Sequence, residues 1–82
     1  METWYVYILE CQGKYYYTGI TNDVEARLKK HREGKGAKFT RGRNPIELKA
    51  VWEFPSKSEA AKREAQIKKL TKKQKKDLID GF

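Results

Sequence analysis

The chain has 82 residues, with 19 Lys and Arg against 11 Asp and Glu, and a formal net charge of +8. That length allows one domain around one modest core, and three Phe, two Trp and five Tyr supply enough burial to argue against disorder. No apolar run approaches the roughly 18 residues of a membrane span, and the opening METWYVY has no signal-peptide layout, so a cytoplasmic location with no membrane contact is expected.

The first element reads as a β-hairpin. Trp4 to Glu10 and Tyr15 to Ile20 are rich in aromatic and β-branched residues, with CQGK between them and Gly13 placed for the turn. Cys11 is the only cysteine; it has no internal disulfide partner and reads as a small hydrophobe at a strand end. Alternation puts Tyr5 and Tyr7 on one face of the first strand, and Tyr15 and Tyr17 on one face of the second. Whether Tyr7 and Tyr17 share a face depends on the turn. A two-residue Gln12-Gly13 turn pairs Ile8 with Tyr17 and separates the two phenols. An odd-length loop, or a bulge, sets them side by side.

TNDVEARLKKHREG follows as a helix, with Asn22 and Glu25 as its cap pair, Asp23 in its first turn and Gly34 at its stop. GKGAKFTRGRNP, rich in glycine and cations, reads as an exposed loop. In IELKAVWEF, Ile46, Leu48, Ala50 and Trp52 alternate against mostly polar neighbours, which predicts a third strand ended by Pro55. Ser56 and Glu59 have capping-box spacing and open a helix running to about Leu70; Thr71 caps a short last helix. The order β-β-α-β-α-α predicts an α+β fold, a single domain over 1–82 with a small three-stranded antiparallel or mixed sheet flanked by helices.

The charge is clustered. Arg27 to Arg43 holds eight cations and one anion, Lys62 to Lys76 another eight and one, and the first 13 residues hold no cation. Such blocks point to a nucleic-acid backbone, because each neutralised phosphate releases a counterion. The bland alternative is a solvated lysine-rich surface. On the first helix, Val24 and Leu28 set the apolar stripe; His31 projects within about 20° of Val24, and Arg27 about 60° away. On the later helix, Ala60, Ala61, Ile67 and Leu70 mark the inward face, and Glu64 falls inside it. A carboxylate there needs a partner. It either pairs with Arg27 or His31 as a structural ion pair, or helps edge a cleft in which it holds a hard cation.

Tyr5-Val6-Tyr7, then Tyr17-Thr18-Gly19 ten residues on, followed by Arg27 in the next helix and Glu64 in a later one, resemble the signature of the GIY-YIG nuclease superfamily. YTGITND, GKGAKFTRGR and EAQIKKL are similar to the small single-domain bacterial members, close to the N-terminal catalytic domain of an excision-repair nuclease. Tyr5 stands where the first triplet has its leading glycine. The resemblance implies a metal-dependent endonuclease that hydrolyses DNA phosphodiesters, in repair, recombination or processing. Glu64 maps to the carboxylate that holds one Mg²⁺, a role in which Mn²⁺ substitutes. Arg27 maps to the arginine that binds the scissile phosphate, Tyr7 to the tyrosine that activates water, and Tyr17 to the second tyrosine, which orients water and phosphate. His31 matches a histidine of some branches and is placed to accept the proton of Tyr7. Gly19 lets the backbone approach the site.

Lys14, Lys35, Lys38, Arg41, Arg43, Lys72 and Lys73 are expected to track the nucleic-acid backbone, without reading sequence. DNA is the expected partner, bound by a monomer or weak dimer, with a partner protein as one source of specificity. Two rival readings remain: a nucleic-acid-binding module that keeps the fold without useful catalysis, and a ribosome- or RNA-associated basic protein.

Overall fold

A computed structural model describes residues 3–13, 15–34 and 45–81. In chain order these form β1 (Trp4–Cys11), β2 (Tyr15–Thr21), α1 (Val24–Arg32), β3 (Pro45–Phe54), α2 (Lys57–Lys68) and α3 (Lys72–Asp80). The sheet order is β2-β1-β3 and both pairings are antiparallel. This is the α+β arrangement expected from the element order.

β1 carries the fold. Val6, Tyr7, Ile8 and Leu9 are each no more than 1% exposed, a continuous buried run that follows from helices covering both faces of the sheet. Val6 and Ile8 pack with Ala60 and Ile67 of α2, with Leu78 and Ile79 of α3 beside them. Tyr7, Leu9 and Cys11 point to the opposite face, where Leu28 of α1 closes over them with Tyr17, Leu48 and Val51. Full burial of a side chain such as Ile8 or Ile67 contributes about 1.5–3 kcal/mol.

The hairpin register settles the parity of the tyrosines. Tyr7 lies opposite Gly19, Leu9 opposite Tyr17 and Cys11 opposite Tyr15, so three positions, 12–14, separate the last paired residues. Gly13 sits at φ 85°, in the left-handed region that glycine enters at no steric cost. With that odd count, Ile8 faces Thr18, and Tyr7 and Tyr17 share a face.

The third strand departs from simple alternation. Ala50 lies opposite Ile8 and Leu48 opposite Leu9, so Lys49 is an extra residue in a bulge. The bulge reverses the phase: Leu48 and Val51 join the α1 face, while Trp52 packs on the α2 face. A single inward face running through Leu48, Ala50 and Trp52 is therefore not what forms. The ammonium of Lys49 turns to Glu10 at 3.3 Å and Glu47 at 3.0 Å.

The caps explain the helix boundaries. Asp23, not Asn22, is the N-cap of α1, its carboxylate accepting from the Ala26 N–H at 3.1 Å. β2 extends to Thr21, whose hydroxyl accepts the Asp23 N–H at 3.0 Å, so the chain turns helical one residue later than the Asn22–Glu25 spacing predicts. Ser56 caps α2 as expected, accepting from Glu59 N–H, and that helix ends at Lys68, short of Leu70. Thr71 and Gln74 cap α3 reciprocally, at 3.1 and 2.9 Å.

Candidate active site

Tyr7 descends from the centre of β1 onto the α1 face, and His31 meets it from the last turn of α1. The Tyr7 hydroxyl lies 2.9 Å from His31 Nε2, and each residue is 1% exposed. Tyr17 completes a triangle of rings: its centroid is 6.1 Å from that of Tyr7 and 5.1 Å from that of His31, and the Tyr7 and His31 centroids are 5.9 Å apart. Arg27, one helical turn before His31, brings its guanidinium against both phenols. A guanidinium can only donate, so it takes a lone pair of the Tyr7 oxygen. In the tautomer with the ring proton of His31 on Nδ1, the Tyr7 O–H donates to Nε2.

Electrostatics favour the neutral form of both buried partners. Burial pushes the Tyr7 phenol up to about 12, although the nearby Arg27 holds it below what burial alone would impose. Burial, and then the positive charge of Arg27, push His31 down to about 4. Contact with the Tyr7 oxygen in turn raises the pKa of Arg27. At neutral pH the cluster therefore holds an intact phenol, an uncharged imidazole hydrogen-bonded to it, and one fixed cation.

Gly19 makes this packing possible. It lies directly opposite Tyr7, and a Cβ built there would stand 2.5 Å from the Tyr7 oxygen and 3.0 Å from Tyr17 Cε2. Any side chain at this position displaces the phenol. Thr21, Asn22, Asp23, Ala26, Arg27 and Lys30 line an open cleft of about 120 Å³ alongside. Lys30, in sequence one of the eight cations of the Arg27–Arg43 block, comes to this cleft through its i, i+3 spacing from Arg27.

Of the candidate residues, Tyr7, Tyr17, Arg27 and His31 come together, with Gly19 beneath them. Glu64 comes from α2, on the other face of the sheet, and its carboxylate is 3.4 Å from Lys68 Nζ, one turn along the same helix. One of the two sequence readings paired Glu64 with Arg27 or His31; the pair that forms is intrahelical, with Lys68. Lys72 and Lys73 are exposed on the first turn of α3. Lys14, Lys35, Lys38, Arg41 and Arg43 lie outside the described residues.

Among the described residues, no group of three or more His, Cys, Asp or Glu could by itself hold a metal ion. Mg²⁺ does not require one, because it keeps several waters and binds through one or two carboxylates together with phosphate. The donor chemistry on the α2 side fits that requirement. Glu64, 21% exposed in its side chain, supplies one carboxylate there. β2 is an edge strand, so an extended ligand along it can touch side chains from both faces of the sheet.

With this geometry in view, the comparisons define the class. The GIY-YIG catalytic domain family matches residues 3–77, and the chain belongs to that family. Nucleases of the superfamily act on nucleic acid and generally use divalent metals. The chain is 55% identical over 75 residues to a UPF0213 protein of Halalkalibacterium halodurans, covering 92% of this chain and 80% of that one. A UPF0213 protein of the archaeon Halobacterium salinarum is 50% identical, covering 92% and 97%, so the relatives are not confined to bacteria. The solution NMR structure of a UPF0213 protein from Bacillus halodurans superposes with a TM-score of 0.61 at 52% identity, over 95% of this chain and 83% of that one. A second solution structure, of a protein from E. faecalis, gives 0.67 at 41% identity, over 100% and 88%. No described helix is long and apolar enough to cross a membrane.

Proposed function

We propose that the protein is a metal-dependent endonuclease that hydrolyses DNA phosphodiesters at the Tyr7–Tyr17–Arg27–His31 cluster. The observation that carries the reading is the buried Tyr7–His31 hydrogen bond with Arg27 beside it. An unassisted phenol is a poor base at neutral pH, and this one is poorer still after burial. A neutral imidazole already accepting its proton removes that obstacle.

The reaction follows from this arrangement. A phosphate enters against Arg27 and the half-buried Tyr17. As the guanidinium turns to the phosphate, it uncovers the Tyr7 oxygen to water. The water oxygen attacks phosphorus as the bond from phosphorus to one ester oxygen breaks; the water proton passes to the Tyr7 oxygen, the Tyr7 proton passes to His31 Nε2, and the departing alkoxide takes its proton from solvent water. Phosphate binding also prepares the base, because its negative charge cancels the Arg27 charge that helps depress His31. Arg27 then stabilises charge building on the phosphoryl oxygens. Glu64 would hold the divalent ion, Mg²⁺ or Mn²⁺, which would supply positive charge to the phosphate backbone where it passes the β2 edge. Lys72 and Lys73 contact the backbone without reading sequence, as do Lys14, Lys35, Lys38, Arg41 and Arg43.

A test with labelled single-stranded, branched and duplex DNA separates this reading from its rivals. Purified protein with Mg²⁺ or Mn²⁺ is expected to nick at least one of them. Glu64→Ala is expected to abolish nicking while leaving binding largely intact. Cleavage that survives Glu64→Ala removes the metal assignment. Binding with no cleavage by the wild type favours a nucleic-acid-binding module of the same fold, consistent with Glu64 being ion-paired on the far face. An RNA preference insensitive to Arg27→Ala favours an RNA-associated protein.

A further inference from the structure

Beside the tyrosine-histidine cluster, α1 presents a second cation to the same opening. Lys30 follows Arg27 by three residues, and both line the cleft of about 120 Å³. Lys29, Lys30 and Arg32 all sit in the last turn of α1, where positive charge complements the helix dipole. The dipole accounts for those three alike, yet of them only Lys30 lines the cleft. Residues i and i+3 of a helix stand about 5–6 Å apart at Cβ, so the Arg27 and Lys30 charges repel across its mouth. Little around them offsets that repulsion. Asp23 is the one carboxylate lining the cleft, and its Oδ1 already accepts the Ala26 N–H at 3.1 Å. The Thr21 hydroxyl is engaged within the same turn, accepting the Asp23 N–H at 3.0 Å and donating to the Asp23 carbonyl at 3.1 Å. Among the described residues, no ion pair reaches Lys30.

We propose that Lys30 is a positioning residue that binds the phosphate next to the scissile one, so that Arg27 and Lys30 hold two successive phosphates of one strand. Their Cβ separation is comparable with the distance between successive phosphates along a strand, and a run of phosphates relieves the repulsion between the two cations. The guanidinium forks onto one phosphate, whereas an ammonium on a flexible stem follows the backbone as a point charge. Lys30 touches no reacting atom; it sets how the strand lies on Arg27. The inference rests on the nuclease reading for the phosphate at Arg27. It deepens that reading by naming the substrate class, a linkage flanked by a second phosphate rather than a lone dinucleoside monophosphate.

The test is run in EDTA with two small ligands, thymidine 3′,5′-bisphosphate, whose phosphates lie one nucleoside apart, and thymidine 5′-monophosphate. Affinities are read from the shifts of backbone amide signals in NMR titrations. The wild type is expected to bind the bisphosphate at least about 3-fold more tightly than the monophosphate. Lys30→Ala is expected to erase that preference, and Lys30→Arg to keep it. Lys29→Ala, the same loss of charge one residue away, is also expected to keep it. Equal affinity of the wild type for the two ligands overturns the proposal, as does a preference that survives Lys30→Ala. So does a loss in Lys29→Ala equal to that in Lys30→Ala, which would make the effect one of diffuse charge.

Oligonucleotide cleavage by the same proteins keeps the two readings apart. With both correct, Lys30→Ala raises KM and leaves kcat nearly unchanged. Cleavage by a wild type whose bisphosphate preference ignores Lys30 overturns only the two-phosphate site. A Lys30-dependent preference without cleavage upholds that site and overturns the nuclease. Neither preference nor cleavage overturns both.

Discussion

The Tyr7 hydroxyl sits 2.9 Å from His31 Nε2 across the packed face between β1 and α1, with both residues almost wholly buried. That contact ties stability to pH. His31 is lowered from 6.5 to about 4 by burial first and by Arg27 second, so the unfolded chain takes up a proton there more readily than the folded one. The stabilising contribution is present above pH 6.5 and is lost as pH falls toward 4. It amounts to at most roughly 3 kcal/mol. Urea unfolding at pH 7 and pH 4.5 is expected to show the loss in the wild type and a much smaller one in His31→Asn. Equal acid sensitivity in the two proteins contradicts the burial of a neutral His31.

Activity carries a different signature of the same pair. Under the proposed mechanism, His31 must be neutral to take the Tyr7 proton. The acid limb of kcat/KM, which reports the free protein, is expected near pH 4. The acid limb of kcat is expected at higher pH, because bound phosphate cancels the Arg27 charge. Tyr7→Phe is expected to lower kcat by about 10²–10⁴ with DNA affinity retained. Coincident limbs near the ordinary histidine value of about 6.5 would remove His31 from the proton path.

Gly19 is the tightest steric demand in the site. A methyl group there meets the Tyr7 oxygen at 2.5 Å, so Gly19→Ala must push the phenol off His31 or bend β2. Overpacking of this kind costs about 1–3 kcal/mol, and cleavage is expected to fall with the lost alignment. Gly34→Ala provides the contrast. Nothing stands within 4 Å of a Cβ there, and only the φ of +75° resists, at about 1–2 kcal/mol with cleavage unchanged. Thermal unfolding and a nicking assay on both variants check the pair. Full activity in Gly19→Ala would show that Tyr7 need not keep its place.

Much of this architecture is legible in the sequence, because its strongest signals are local. Aromatic and β-branched runs mark the hairpin, and Ser56 and Thr71 announce their helices through side chains that cap them. Arg27 and His31 one turn apart, beside Leu28, already place a cation and an imidazole at the edge of an apolar stripe. What escaped depends on pairing between distant segments. The Lys49 bulge exists because β3 must supply Val51 and Leu48 to one face and Trp52 to the other, which a period of two cannot do. The α1 cap moved because the Thr21 hydroxyl fixes the Asp23 backbone, a contact that no spacing rule contains. The helical wheel places Glu64 on the inward stripe, and its side chain is 21% exposed, but a wheel does not say which face of the sheet its helix covers.

Glu64 also supplies the last prediction. Its carboxylate is 3.4 Å from Lys68 Nζ, a pair partly open to solvent, with side-chain exposures of 21% and 54%. Such pairs contribute about 0–1 kcal/mol. A divalent ion bound by Glu64 must compete with that ammonium, which also repels the ion. Lys68→Ala is therefore expected to lower the Mg²⁺ concentration for half-maximal cleavage by up to about 5-fold, with kcat nearly unchanged. Mn²⁺ binding followed by water-proton relaxation gives a readout independent of cleavage, and it is expected to tighten in Lys68→Ala and weaken in Glu64→Gln. EDTA is expected to stop cleavage while leaving the thermal unfolding midpoint nearly unmoved, since the described core clusters are hydrophobic side chains and do not include Glu64. Mn²⁺ affinity indifferent to both substitutions would place the ion somewhere other than Glu64.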